Sequence, residues 1–170
     1  VNPDWRRLKA VVIESDDWGL CAWVPDEQAH RVLTGTPAFR APTGRIYGRT
    51  TLERAEDVRA IGDLLMEFRG GDGFPPVWQA NTVMAVPDPA KLQPPLFPGD
   101  GLPLLEYPET PSRWARPGLW QAVQLGIEEG WWWPELHGLH HVPAAAWVHA
   151  LRRGAADARR AHDQQCFVCD

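Results

Sequence analysis

Apolar and polar positions divide the chain into short strands, longer helices and one proline-rich stretch. Leu8 to Ser15 (LKAVVIES) is a compact apolar run rich in β-branched residues and predicts a buried strand. Polarity switches abruptly at Asp16, Asp17, Trp18 and Gly19. Leu20 to Arg49 carries turn signals with little periodicity and predicts a long loop. Thr50 and Glu53 have the spacing of a capping box, and Leu52, Ala55, Val58, Ile61, Leu65 and Phe68 then recur at helical spacing until Gly70 and Gly71. Val77 to Val86 (VWQANTVMAV) predicts a second strand. Between residues 86 and 111 there are eight prolines, which excludes a regular helix or central strand and predicts a loop packed on the body. Pro117 suits a first helical turn, Leu119, Trp120, Val123 and Ile127 supply an apolar face, and Gly130 closes the helix. Trp131 to Leu136 predicts a third strand. Pro143 opens a last helical segment with Trp147 and Leu151 on one side; Gly154 interrupts it, and Ala155 to His162 continues as a second helix.

Strands alternating with helices imply an α/β fold built on a parallel sheet or barrel, where active residues gather at the carboxyl ends of strands. The 170 residues, 44% hydrophobic and 23% charged, fit one domain with a substantial core. No run of eighteen apolar residues is present, so no membrane span is expected. A net charge of −5 argues against a general nucleic-acid or anionic-membrane binder. No export signal is visible, which leaves the location open between a bacterial envelope and the cytoplasm. Cys166 and Cys169 form a C-x-x-C, but without a second pair the bland reading is preferred over a zinc or redox site.

Two polar clusters stand where the strand-end rule places chemistry. Asp16 and Asp17 follow the first strand; His137, His140 and His141 follow the third. Neighbours on a strand project to opposite faces, so the two aspartates cannot do the same job: one could bind a metal while the other accepts a proton. His137 and His141, four apart, fall on one side of a helix and also of an extended segment, where His140 points elsewhere. Two imidazoles and one carboxylate leave coordination positions open, as catalytic zinc requires. Glu135 beside this cluster could orient a histidine, although a solvated strand-end charge is the commoner fate.

These residues resemble a known family. VVIESDDWG looks like the Asp-Asp motif of polysaccharide deacetylases (the NodB-homology domain, carbohydrate esterase family four), and His137 to His141 (HGLHH) looks like its H-x-x-x-H motif. The resemblance implies a distorted (β/α) barrel, with Asp17, His137 and His141 holding Zn2+ or another divalent metal. It implies that Asp16 is the general base that activates the hydrolytic water, and that the substrate is an acetylated carbohydrate. Trp18 and Trp133 are then the candidate substrate-binding rings, with Trp23, Trp131 and Trp132 also near the site and core packing the stronger default for tryptophan.

The sequence departs from the family in its later motifs. Only 29 residues follow His141, no Leu-x-His occurs after the metal motif, and Arg40 and Arg45 lie only upstream. His149 and His162 fall on predicted helices and make poor general acids. The expectation is therefore a partial barrel lacking C-terminal strands, with sheet edges open to self-association. The leading function is metal-dependent removal of an acetyl group from a carbohydrate, as a de-N-acetylase or O-acetyl esterase. The alternatives are a non-catalytic metal- or sugar-binding fragment and a metal hydrolase acting on a small amide or ester.

Overall fold

The computed structural model describes residues 14–93 and 102–168. Strand β1 (Glu14–Trp18) is followed by three short helices, α1 (Glu27–Leu33), α2 (Pro37–Arg40) and α3 (Pro42–Tyr47), and by the longer α4 (Ala55–Met66). Then come β2 (Trp78–Thr82), β3 (Ala85–Pro87), β4 (Leu104–Glu106), a 3-10 turn at Ser112–Trp114, α5 (Leu119–Glu128), β5 (Trp132–Leu136), α6 (Ala144–Arg152) and α7 (Ala156–Asp163). Most of the strand expected at Leu8 to Ser15 lies outside the described residues, which begin within its last two positions.

β1, β2 and β5 form a parallel sheet in that order, with Glu14 opposite Gln79 and Gln79 opposite Trp133. The fold is therefore α/β with a parallel sheet. Among the described residues the sheet is open, with three strands and no closed barrel. Ala80 and Trp132 point into the main core, where Val58 of α4 and Ala122 and Val123 of α5 are also buried. Trp131 is wedged against both helices: a Cβ on Gly62 would stand 2.4 Å from its Cζ2, and one on Gly126 2.8 Å from the same ring. Glycine at these two positions lets the helix pair close over the indole. Alternate strand residues form a polar row instead, in which Gln79 donates to Asn81 (3.1 Å) and Trp133 Nε1 to Glu135 (2.7 Å).

Several sequence expectations need correction. The segment from Leu20 to Arg49 is not one long loop but carries α1, α2 and α3. Asp26 caps α1 by accepting from the Ala29 amide at 2.8 Å, and prolines occupy the first turns of α2 and α3. Helices of four to seven residues are too short to display a period, so pattern alone does not reveal them. The Thr50–Glu53 capping box does not form: Thr50 donates to the Tyr47 carbonyl, and α4 begins two residues after Glu53, where the Arg54 amide donates to Asp57. The strand expected across Val77 to Val86 is split between two sheets, because β3 leaves the parallel sheet to pair antiparallel with β4 inside the proline-rich stretch. Pro87 closes that pairing at its end, where a missing N–H is tolerated.

A second, smaller core joins Val24, Ala29, Leu33 and Phe39 of the α1–α2 region to Ala161 and Cys166 near the chain end. Cys166 is buried there, and burial pushes its thiol up to about 12, with Arg113 working in the opposite direction. Such a thiol is not a ready nucleophile at neutral pH. Cys169 lies outside the described residues.

Candidate metal centre

The site begins with an irregularity in β1. Ser15 pairs with Ala80 and Trp18 with Thr82, so β1 uses one residue more than β2 over the same interval. The extra residue falls in the aspartate pair, and Asp17 takes a left-handed backbone conformation (φ 69°). This bulge re-aims a side chain at the strand end, as bulges beside active sites commonly do. Asparagine and aspartate bear that conformation more readily than other residues with a Cβ. Gly19 is also left-handed (φ 73°), and its amide donates to Glu53 at 2.9 Å. Burial pushes the Glu53 carboxyl above the ordinary glutamate range, with the Asp57 charge adding to the rise and the bond from Gly19 opposing it.

The histidine segment is anchored to the same corner of the sheet. The His137 amide donates to the Thr82 carbonyl at 2.9 Å, and the Val83 amide donates to the Trp18 carbonyl at 2.8 Å. Gly138, with φ 88°, then turns the chain so that His141 returns over His137, their ring centroids 5.0 Å apart.

Asp17, His137 and His141 meet. Asp17 Oδ1 lies 3.0 Å from His141 Nδ1 and 3.5 Å from His137 Nε2, and one ligand atom from each residue falls within 4.8 Å of the others. Metal–ligand bonds of about 2.0–2.2 Å in tetrahedral array put donor atoms roughly 3.3–3.5 Å apart, so these two separations suit a shared ion with small adjustment. The other ring nitrogen of His141, Nε2, faces the His137 carbonyl oxygen at 3.1 Å. Donation there would fix the tautomer that presents Nδ1 to a metal. The donor set therefore fits a divalent ion. His140 stands outside the group.

Asp16 is exposed and accepts a hydrogen bond from Asn81 Nδ2 at 2.7 Å. Asn81 is a residue that sequence reasoning missed; its signal was only its place near the end of the second strand. Glu135 accepts from Trp133, and no bond between it and a histidine is found among the described residues. Trp18 packs edge-on against Trp132 (4.7 Å) and Trp78 (6.0 Å), in the role of a core ring. Trp133 is 60% exposed on β5. Neither ring lines the cavity of about 520 Å3 that opens beside Asp17 and His141; its aromatic walls are Trp23, Tyr47 and Phe167. Trp23 and Tyr47 both belong to the segment expected to be a long loop; Trp23 was already a candidate ring near the site, and Tyr47 was not singled out.

Comparison with protein families, with curated proteins and with solved structures finds no match for this chain. The similarity to polysaccharide deacetylases thus rests on the aspartate pair and the HGLHH segment. Among the described residues no helix is long and apolar enough to cross a membrane.

Proposed function

We propose that this chain is a metal-dependent hydrolase of the polysaccharide-deacetylase type, removing acetyl groups from a carbohydrate. The observation that carries the reading is the meeting of one carboxylate and two imidazoles across the sheet, with a second carboxylate, Asp16, one residue away. Asp17, His137 and His141 would hold Zn2+ or a similar ion. When bound, that ion supplies Lewis acidity toward water and toward a substrate carbonyl oxygen. Asp16 takes the proton from the attacking water. Its bond from Asn81 occupies one carboxylate oxygen and holds the group in place, leaving the other to act as base. The cavity flanked by Trp23, Tyr47 and Phe167 receives the part of the substrate next to the scissile group, with its rings available for stacking on a sugar face.

The rival reading, a metal- or sugar-binding domain without turnover, draws support from the three-stranded sheet, open among the described residues, and from the departure of the sequence from the family's Leu-x-His motif for the general acid. Acetate release from an acetylated oligosaccharide by zinc-loaded protein separates the two. The hydrolase reading expects measurable release that falls roughly 10²–10⁴-fold in Asp16→Asn while metal content stays unchanged. Full metal loading with no release from the unmodified chain, tested on both N- and O-acetylated substrates, favours the binding domain.

A further inference from the structure

Four arginines from two distant stretches of chain, Arg49 and Arg54 before α4 and Arg113 and Arg116 around the 3-10 turn, line a second cavity of about 410 Å3. Asp26 and Glu27 are the carboxylates among its described lining residues, and each is already engaged. Arg113 grips both oxygens of Asp26 at 2.8 Å, and Arg49 reaches Glu27 at 2.6 Å. His30 also sits against Glu27, at 3.7 Å. The other two arginines have no carboxylate within ion-pair distance among the described residues. Arg116 donates to neutral oxygens, the Pro25 carbonyl and Thr51 Oγ1, each at 2.9 Å, and the Ala115 carbonyl at 3.2 Å. The exposed Arg54 side chain has no hydrogen-bond or ion-pair partner among the described residues. Burial, and after it the neighbouring charge of Arg54, holds Arg116 below the ordinary arginine value, with Cys21, Asp26 and Glu53 opposing. Two like charges thus share one cavity, neither of them in direct ion-pair contact with a carboxylate among the described residues, on a chain whose net charge is −5.

We propose that this cavity binds a phosphate group, carried by free phosphate or by a phosphate monoester, between Arg54 and Arg116. A guanidinium presents paired N–H donors that match the oxygens of phosphate, and two cations without a direct carboxylate partner match a dianion. The Thr51 hydroxyl, held at Arg116, lines the same cavity and adds a neutral polar group. The inference is independent of the hydrolase reading and stands or falls on anion binding alone.

The test is calorimetric titration of the full chain at pH 7.5 with inorganic phosphate, methyl phosphate and acetate, with chloride matching the ionic strength. Phosphate is expected to bind saturably, acetate at least tenfold more weakly, and Arg54→Gln to weaken phosphate at least tenfold without changing the circular dichroism spectrum. Glu27→Gln, which releases Arg49 from its competing carboxylate, is expected to tighten binding by a few fold. Methyl phosphate binding more tightly than inorganic phosphate assigns the site to an ester, and the reverse order assigns it to the free ion. Heats no greater than those of matched chloride, acetate binding as tightly as phosphate, or an Arg54→Gln variant with unchanged affinity would each overturn the proposal. Arg54 is the residue to change because Arg116 also ties Pro25 to Thr51, and its loss could disturb the fold itself.

Discussion

Asp17, His137 and His141 reach one another because β1 and β5 both run parallel to β2, which brings the segments leaving them to one end of the sheet. The arginines of the second cavity meet by another route: Arg49 and Arg54 flank an irregular stretch before α4, while Arg113 lies within and Arg116 just after a 3-10 turn some sixty residues later. In the first region, backbone pairing sets the positions and the side chains follow. In the second, side chains themselves hold the segments together, as where Arg116 spans Pro25 and Thr51 and Arg113 spans Asp26 and Gln164. A strand-end site should therefore fail when the backbone is strained, and a side-chain-built site when a single long side chain is removed.

Gly19→Ala should give the largest effect of that kind. A Cβ there would stand 3.0 Å from the Tyr107 ring and 3.1 Å from the Val83 carbonyl, on a residue whose φ is 73°. Together, strain and crowding should cost about 1–3 kcal/mol in denaturant unfolding and weaken metal binding two residues away. Arg113→Ala should cost less, about 1 kcal/mol, because its pair with Asp26 is partly exposed. Metal stoichiometry should be untouched. Metal loss in Arg113→Ala, or normal metal affinity in Gly19→Ala, would erase the distinction between the two regions.

A smaller effect separates them by pH. The Glu53 carboxyl behind the metal corner is raised, chiefly by burial, so the folded state holds its proton to higher pH than the unfolded chain. Its contribution to stability therefore falls as pH rises from the ordinary glutamate range through the raised value. Asp26 in the arginine cavity goes the other way: burial works to raise it, but the bond from the Ala29 amide and the pairing with Arg113 outweigh that and lower it. Its contribution is present above the ordinary aspartate range and is lost as pH falls through the lowered value. Unfolding curves between pH 3 and 7 should show Glu53→Gln gaining on the parent chain as pH rises. Asp26→Asn should instead lose ground over the same interval. Parallel profiles for the two variants would contradict these assignments.

Legibility in the sequence follows the same division. The alternation of strands and helices, the stripe of α4 and the approach of the aspartate pair to His137 and His141 were readable because parallel-sheet geometry turns strand-end position into spatial proximity, while the choice of Asp17 over Asp16 came from the family resemblance alone. The bulge that parts Asp16 from Asp17 was not readable, since alternation along a regular strand gives no sign of an extra residue. Nor was the role of Glu53, whose spacing from Thr50 suggested a helix cap while its carboxylate instead holds Gly19. The helices between Leu20 and Arg49 and the pairing of Arg113 with Asp26 depend on packing across 87 residues of sequence, which no local period encodes. Of the rings beside the metal group, Trp23 was noted near the site from the sequence, whereas Tyr47 was hidden for the same reason.

The most direct test of the account is metal content of the purified chain beside Asp17→Ala and His137→Ala, with folding of each variant checked by circular dichroism. The account predicts about one divalent ion bound to the parent chain after zinc loading and none retained by either folded variant. A parent chain that takes up no ion, or folded variants that keep it, would contradict the metal centre and the hydrolase built on it.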